Sequence, residues 1–376
     1  MKRPFCIFLA ICLALSLCAC KKREKTETGQ GTGDGQNTSV SQEDNGQKPN
    51  EPLSPVAGMR VAYISKLPDD PLYAAAKTGA QSYAAQWGIE LQCADGMGQL
   101  AAVQMAIDNG VDAICITADP TPSLEEKLSE AAAAGICIAT WDTDVSPELR
   151  TLTVSEGTAS VLGSMLVEMG VTSLKERGKD VGDEVLYAWH STRGENEEES
   201  ARYAAAREYI RDNYPKWVEY DGPYYSGGDQ QSSSVGGRLL DECPGIDLVL
   251  CGDPEALLGR CLAAQERGVT AESVTITGFC PPSAMLPYLS ADVCTRWGLW
   301  DCGMQSAMCC YLAAWLAAGN EVQVGDVVNI PRIGSVEILA NSAILSQAET
   351  LQRNNGVVML PERLVFTAEN AYDFIF

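Results

Sequence analysis

The sequence predicts an α/β protein built as two doubly wound parallel-sheet lobes. Three observations predict it. From Met59 onward, short continuous apolar runs alternate with segments of helical periodicity, the pattern of strands buried on both faces. The alternation restarts after Arg150, which makes two βαβ arrays. The stretch from Gly58 to Phe376 is about 320 residues, long for one core and comfortable for two lobes.

In the first array, Arg60-Val-Ala-Tyr-Ile-Ser65 reads as a strand, followed by a helix near Leu72–Trp87. Ile89–Ala94 is the second strand, Ala113–Thr117 the third and Ile136–Thr140 the fourth, with helices near 99–109 and 123–134 between them. The second array opens with the strand Thr151–Val154 and a long helix near Thr158–Glu176. Glu184–Trp189, Val218–Tyr224, Asp247–Cys251, Val274–Phe279 and Val293–Leu299 continue it, with helices between most of them, one near 198–213. A helix near Gly303–Ala318 and weaker strands near Val327–Ile330 and Val336–Leu339 follow. No third domain is indicated.

The chain opens differently. Lys2 and Arg3 precede an apolar run from Phe5 to Ala19, closed by Leu17-Cys18-Ala19-Cys20. That is the layout of a secretory signal peptide, short for a bilayer span, and it is preferred over a free N-terminal membrane helix. The Leu-x-Ala-Cys ending resembles the lipobox of bacterial lipoproteins. That resemblance implies a signal peptide over residues 1–19, cleavage before Cys20, and a lipid on the Cys20 thiol; Leu17 makes Cys18 the poorer candidate. Residues 20–57 read as a disordered linker rich in Gly, Gln, Thr, Ser, Asp, Glu and Pro, without an aromatic residue. Lys21-Lys22-Arg23 suits either anionic head groups or plain solubilising charge. The expected location is extracytoplasmic, lipid-anchored to the outer face of the cell membrane.

Composition narrows the function further. With 50 Asp+Glu against 27 Lys+Arg, the charge balance disfavours nucleic acid as a partner, since phosphate binding needs a basic face. Of 15 cysteines, four lie in the leader, and no C-x-x-C pair is present to frame zinc or iron–sulfur. Cys115, Cys137, Cys251, Cys309 and Cys310 fall inside apolar segments, so small buried hydrophobes are favoured over a disulfide framework. Free thiols in an exported chain suggest a reducing habitat. Gly96-x-Gly98-x-x-Ala101 with Asp119 fits a dinucleotide fingerprint formally, but it follows the second strand of its lobe, and a tight turn is the better reading. Gly31-x-Gly33-x-Gly35 lies in the linker and reads as spacer. G-x-S-x-G, P-loop and H-E-x-x-H motifs are absent, and the single His disfavours a serine triad or a His-metal site.

In open α/β sheets, ligands bind beyond the carboxyl ends of the strands. Lys66, with Tyr73 a little further on, follows the first strand, and Trp141-Asp142-Thr143-Asp144 follows the fourth. In the second array His190, Arg193, Asn196 and Glu197 follow Trp189. Gly252-Asp253-Pro254 follows Cys251, and Trp300-Asp301 follows Leu299. Carboxylates, cations and aromatic rings together suit a small polyhydroxylated ligand, with carboxylates accepting from hydroxyls and rings covering C–H faces.

Thr140-Trp141-Asp142-Thr143-Asp144, Gly298-Leu299-Trp300-Asp301, Leu360-Pro361-Glu362-Arg363 and Phe366-Thr367-x-Glu369-Asn370 resemble type I periplasmic binding proteins. Within that family the chain is most similar to the autoinducer-2-binding and rhamnose-binding proteins of ABC transporters, in matching order over residues 59–376. The resemblance implies two Rossmann-like lobes joined by a three-segment hinge that close over ligand. It assigns 58–152 plus 300–325 to the N-terminal lobe and 153–299 plus 326–376 to the C-terminal lobe. It implies no catalysis, no cofactor and no metal, a monomer, and an ABC permease as partner. Two other readings stand beside it: a binding protein feeding a chemoreceptor or sensor kinase, and an exported carbohydrate-active enzyme with Asp142 and Glu197 as paired acids.

Lys66 and Asp142 match the lysine and aspartate with which the family's autoinducer-2 binders hold their ligand. Asp142 and Asp301 also fit plain capping roles, Trp141 plain core packing, and His190 a buried structural group. The Asp-Gln pair those binders use in the second lobe falls on Asn196-Glu197 or Glu198-Glu199, and their later proline and alanine become Gly252 and Pro254. Trp189, His190 and Arg193 add bulk and donors there. On that ground a pentose, deoxyhexose or related polyol is expected ahead of autoinducer-2.

Overall fold

The computed structural model describes residues 54–194, 197–227, 229–345 and 355–374. The leader, Cys20, most of the linker and Asn196 lie outside the described residues.

The first array forms β1 (Arg60–Ile64), α1 (Pro71–Trp87), β2 (Glu90–Cys93), α2 (Gln99–Asn109), β3 (Ala113–Ile116), α3 (Pro122–Ala133), β4 (Cys137–Trp141) and β5 (Leu152–Ser155). The second forms α4 (Ala159–Glu176), β6 (Leu186–Ser191), α5 (Glu197–Asn213), β7 (Val218–Tyr225), α6 (Asp229–Glu242), β8 (Leu248–Cys251), α7 (Pro254–Glu266), β9 (Thr275–Gly278), α8 (Pro282–Ser290) and β10 (Trp297–Leu299). Then come α9 (Cys302–Ala317), β11 (Val327–Ile330), β12 (Gly334–Leu339), β13 (Gly356–Met359) and β14 (Leu364–Phe366).

The strands sort into an eight-stranded sheet in the order β11-β12-β13-β5-β4-β3-β1-β2, a four-stranded sheet β7-β6-β8-β9, and the pair β10-β14. Each large sheet is covered on both faces, as its continuous apolar strands require. Val61 and Tyr63 of β1 face the core under α1 and α9, whereas Ala62 and Ile64 face the core under α2 and α3. Five helices start where a side chain can satisfy their free N–H groups, with Thr158 of α4 accepting from Val161. In the other four, Asp70, Thr121, Asp253 and Asp301 accept from Leu72, Leu124, Ala256 and Met304, and a proline follows Asp70, Thr121 and Asp253. α1 and α9 cross in direct contact: a Cβ on Gly79 would lie 2.4 Å from the Cα of Gly303.

The chain crosses between the two large sheets after β5, after β10 and after β13, which builds the three-segment connection of a type I binding-protein fold. The division of the lobes needs one correction. Strands β11, β12 and β13 do not join the second lobe: β13 lies parallel beside β5, with Gly356 to Met359 opposite Leu152 to Ser155, and β12 and β11 continue the same sheet. Gly356 permits this close pairing, since a Cβ there would meet Leu339 O at 2.5 Å. β5 belongs wholly to that first sheet. Only β14, antiparallel to β10, returns the chain to the second lobe. The segment Val293–Leu299 is a strand only from Trp297.

Of the eleven free cysteines among the described residues, nine are buried and two half-buried. They fill core positions as small apolar groups.

Candidate ligand-binding cleft

Asp142 sits one residue past β4 with φ 59°, in the left-handed region that non-glycine residues rarely occupy. Its Oδ2 accepts from Lys66 Nζ at 2.8 Å, Tyr73 Oη at 2.9 Å and Thr117 Oγ1 at 3.1 Å. Those partners come from the ends of β1 and β3 and the first turn of α1, so four elements converge on one carboxylate oxygen. Lys66 also donates to Thr143 Oγ1 and lies 5.2 Å from the Tyr73 ring centroid. Burial, then the Asp142 charge, push the Tyr73 hydroxyl far above its ordinary range, so it remains a proton donor. The Oδ1 of Asp142 takes no bond from a described residue, and Asp142 lines the cleft between the lobes.

Trp141 does not line that cleft. It is 1% exposed and packs against Tyr63 and Tyr73, at centroid distances of 6.2 and 5.9 Å, as a platform behind the Lys66–Asp142 pair. Asp144 reaches the cleft wall, but its carboxylate is held by Arg150, with Nη2 at 2.6 Å and Nε at 3.1 Å from Oδ2, and by Thr140 Oγ1. Arg150 continues to Asn341 Oδ1 and Gly356 O, so this pair ties β13 to the loop after β4.

The second lobe departs further from the sequence reading. His190 is fully enclosed, one residue before the end of β6, and does not reach the cleft. Trp189 is 1% exposed and donates to Ser191 Oγ at 2.7 Å. Gly252 is packed against both: a Cβ there would lie 2.4 Å from Ser191 Oγ and 2.7 Å from the Trp189 ring. Asp253 caps α7, and its other oxygen accepts from Thr192 N at 2.7 Å; Pro254 is the first helical residue. Arg193 is exposed, and its backbone N–H donates to Glu199 Oε2 at 3.4 Å. Asn196 lies outside the described residues, as does the side chain of Glu197. Trp300 packs 5.8 Å from the Phe279 ring, and Asp301 caps α9.

Two residues missed by the sequence reading join the lobes. Arg202 of α5 donates from Nη1 to Gly252 O at 2.6 Å, stands 5.5 Å from the Phe279 ring centroid, and sits 3.9 Å from Glu156 Oε1. Its Nε is buried without a partner, and Arg202 lines the same cleft as Asp142. Glu156, in the first crossing segment, also takes Gln305 Nε2 at 3.5 Å and, through its carbonyl, Arg363 Nε at 2.6 Å. All three crossing regions therefore meet at Glu156. A sequence signal for Arg202 exists: with Ala206 and Ile210 it forms the inward stripe of α5, where an arginine needs a reason. Nearby Glu199 is half-buried; burial and then Asp253 push its carboxyl up to about 7.

Two doubly wound lobes, three crossings, and a polar cleft at the strand ends define a two-lobed receptor for a small solute. The model of the periplasmic binding protein domain matches residues 61–321. The autoinducer-2-bound LsrB of Clostridium saccharobutylicum is 40% identical, with 85% of this chain and 100% of that chain covered and a TM-score of 0.72. An L-rhamnose-bound ABC transporter solute-binding protein from Clostridium phytofermentas is 20% identical, covering 85% and 98%, with a TM-score of 0.66. A sugar ABC transporter protein of Actinomyces odontolyticus is 17% identical, covering 85% and 99%, with a TM-score of 0.69. The chain belongs to the periplasmic binding protein family. Within it the chain is an extracytoplasmic solute-binding protein of the sugar and autoinducer-2 ABC transporter type, not an enzyme. Among the described residues no helix is long and apolar enough to cross a membrane.

Proposed function

We propose that this protein captures autoinducer-2, or a small hydroxylated carbonyl compound of the same kind, and delivers it to an ABC permease. The observation that carries the reading is the Lys66–Asp142 pair, locked by Tyr73 and Thr117 at the strand ends, in a chain 40% identical to an autoinducer-2-bound relative. Asp142 Oδ1 accepts from ligand hydroxyls, and the Lys66 ammonium donates to a ligand oxygen. Arg202 supplies a donor from the second lobe. The lobes close about the three crossings, and closure shields these bonds from water. The sequence-based preference for a pentose, deoxyhexose or polyol rested on the unmatched second-lobe Asp-Gln pair, on Gly252 and Pro254, and on bulk and donors from Trp189, His190 and Arg193. Trp189 and His190 are enclosed in the second lobe, which weakens the last of these grounds. The protein acts as a monomer tethered through a lipid on Cys20, and residues 20–57 give it reach above the membrane.

Mass spectrometry of ligand released from protein purified without denaturation tests the reading. Autoinducer-2, with calorimetric binding of autoinducer-2 and none of L-rhamnose, is the expected result. Binding of L-rhamnose or a pentose alone would return the assignment to the sugar class while leaving the transport role intact.

A further inference from the structure

Among the described residues, the second lobe buries a positive charge with no carboxylate bonded to it. Arg260 of α7 is 0% exposed. Its Nη1 donates to Gly236 O of α6 at 2.6 Å, while Nε and Nη2 have no oxygen or nitrogen acceptor among the described residues, and the neutral Cys251 thiol is the polar group beside them. Burial pulls the guanidinium down to about 10, which still leaves it cationic at neutral pH. A buried charge is costly unless something of opposite sign sits beside it.

The side chains around it are orphaned too. His190 is 0% exposed, and neither ring nitrogen has a partner. Tyr224 of β7 and Cys251 of β8 are its register partners on either side, so the three side chains stand in one row on the same face of the sheet. Tyr224 Oη is likewise buried and unpaired, and the Cys251 thiol lies beside the guanidinium. None of the groups that act most strongly on Arg260 is a carboxylate. The nearby carboxylate of Asp253 is spent on Thr192 N and Ala256 N.

We propose that this cluster of buried, unpaired groups holds one small monovalent anion of the chloride type, bound by Arg260 beside His190 and Tyr224. The charge balance sets the valence. Burial drives His190 well below its ordinary range and keeps it neutral, and it pushes the Cys251 thiol up so that it stays protonated. One fixed positive charge therefore remains, and one negative charge answers it. A neutral imidazole N–H, the Tyr224 O–H and the N–H groups on Arg260 Nε and Nη2 give a donor shell. Water in the same space would satisfy the donors and leave the charge unanswered. The site lies between the sheet and the α6–α7 layer, away from the Lys66–Asp142 pair, so it does not depend on what the cleft binds.

The protein is unfolded and refolded in sodium bromide, so that ion entry is not limited by slow exchange, and diffraction is recorded at the bromine absorption edge. An anomalous peak within hydrogen-bonding reach of Arg260 and His190 is expected. In parallel, the melting temperature is followed as chloride replaces gluconate at constant ionic strength. It should rise with chloride in the unaltered protein and stay flat in Arg260→Met, because an ion bound only by the folded state raises its stability. A cluster without anomalous signal, or a melting temperature equal in both salts, would overturn the proposal. If Arg260→Met fails to fold, the bromide experiment on the unaltered protein decides alone.

Discussion

Lys66 Nζ and Asp142 Oδ2 stand 2.8 Å apart, with both side chains about one-fifth exposed. They are a pair at the cleft wall, neither sealed in the core nor free in solvent. Such a pair is held in place before ligand arrives, which lowers the ordering cost of binding. Replacing Asp142 with Asn keeps the shape and removes the charge. Ligand affinity should fall by about 1.5–3 kcal/mol, the range for a hydrogen bond to a charged group. Isothermal calorimetry with the released ligand measures it, and unchanged affinity would remove Asp142 from the site.

Arg202 gives a second-lobe counterpart. Arg202→Met removes the donor to Gly252 O and the unpaired Nε while keeping apolar bulk over Phe279. Affinity should drop at least tenfold with only a modest change in melting temperature, as expected for losing one charged donor at about 1.4 kcal/mol per tenfold. Arg202→Lys should restore little, because one ammonium cannot serve Gly252 O and the cleft at once. A large fall in melting temperature with affinity intact would make Arg202 structural only.

The approach of α1 to α9 tolerates no side chain. Gly79→Ala would place a methyl 2.4 Å from the Gly303 Cα, against backbone that cannot rotate away. Overpacking of this kind costs about 1–3 kcal/mol. Urea denaturation should show a lower midpoint with an unchanged slope.

Glu199 makes stability depend on pH. Its carboxyl is raised from 4.5 to about 7 by burial and Asp253, so the fold favours the protonated form. That stability is fully present below about pH 4.5 and is lost as pH climbs through about 7. Melting temperatures of the unaltered protein should therefore decline from pH 5 to pH 8 more steeply than those of Glu199→Gln. Parallel curves for the two would exclude Glu199 as the titrating group.

The anchor is tested in cells. Cys20→Ser should leave protein that is unprocessed or released from the membrane fraction. Normal cleavage and retention of that variant would refute lipidation at Cys20.

The first lobe is legible in the sequence because β1, β3 and β4 are continuous apolar runs, and Lys66 and Asp142 stand immediately past such runs. β13 and β14 are four and three residues long, too short for periodicity to register. The pairing of β13 with β5 is a tertiary choice far along the chain, and a local pattern does not carry it. In the second lobe the reading ended β6 at Trp189, whereas the strand runs to Ser191. Those added residues take His190 from the strand-end loop to a face inside the protein. Arg202 escaped notice because arginine is ordinarily a surface residue; its i, i+4, i+8 spacing with Ala206 and Ile210 hints that it faces inward, and packing against Phe279 and Gly252 fixes its role.

The enclosed thiols turn this protein into its own clock for unfolding. Nine of the eleven cysteines among the described residues are shut away from any aqueous reagent, spread through both large lobes. An alkylating agent reaches them only when the surrounding region opens, so the labelling rate at each one reports how often that region opens. Cys309 and Cys310 on α9 report on the first lobe, and Cys251 and Cys261 on the second. Comparing the two sets with and without ligand would tell which lobe a bound solute steadies.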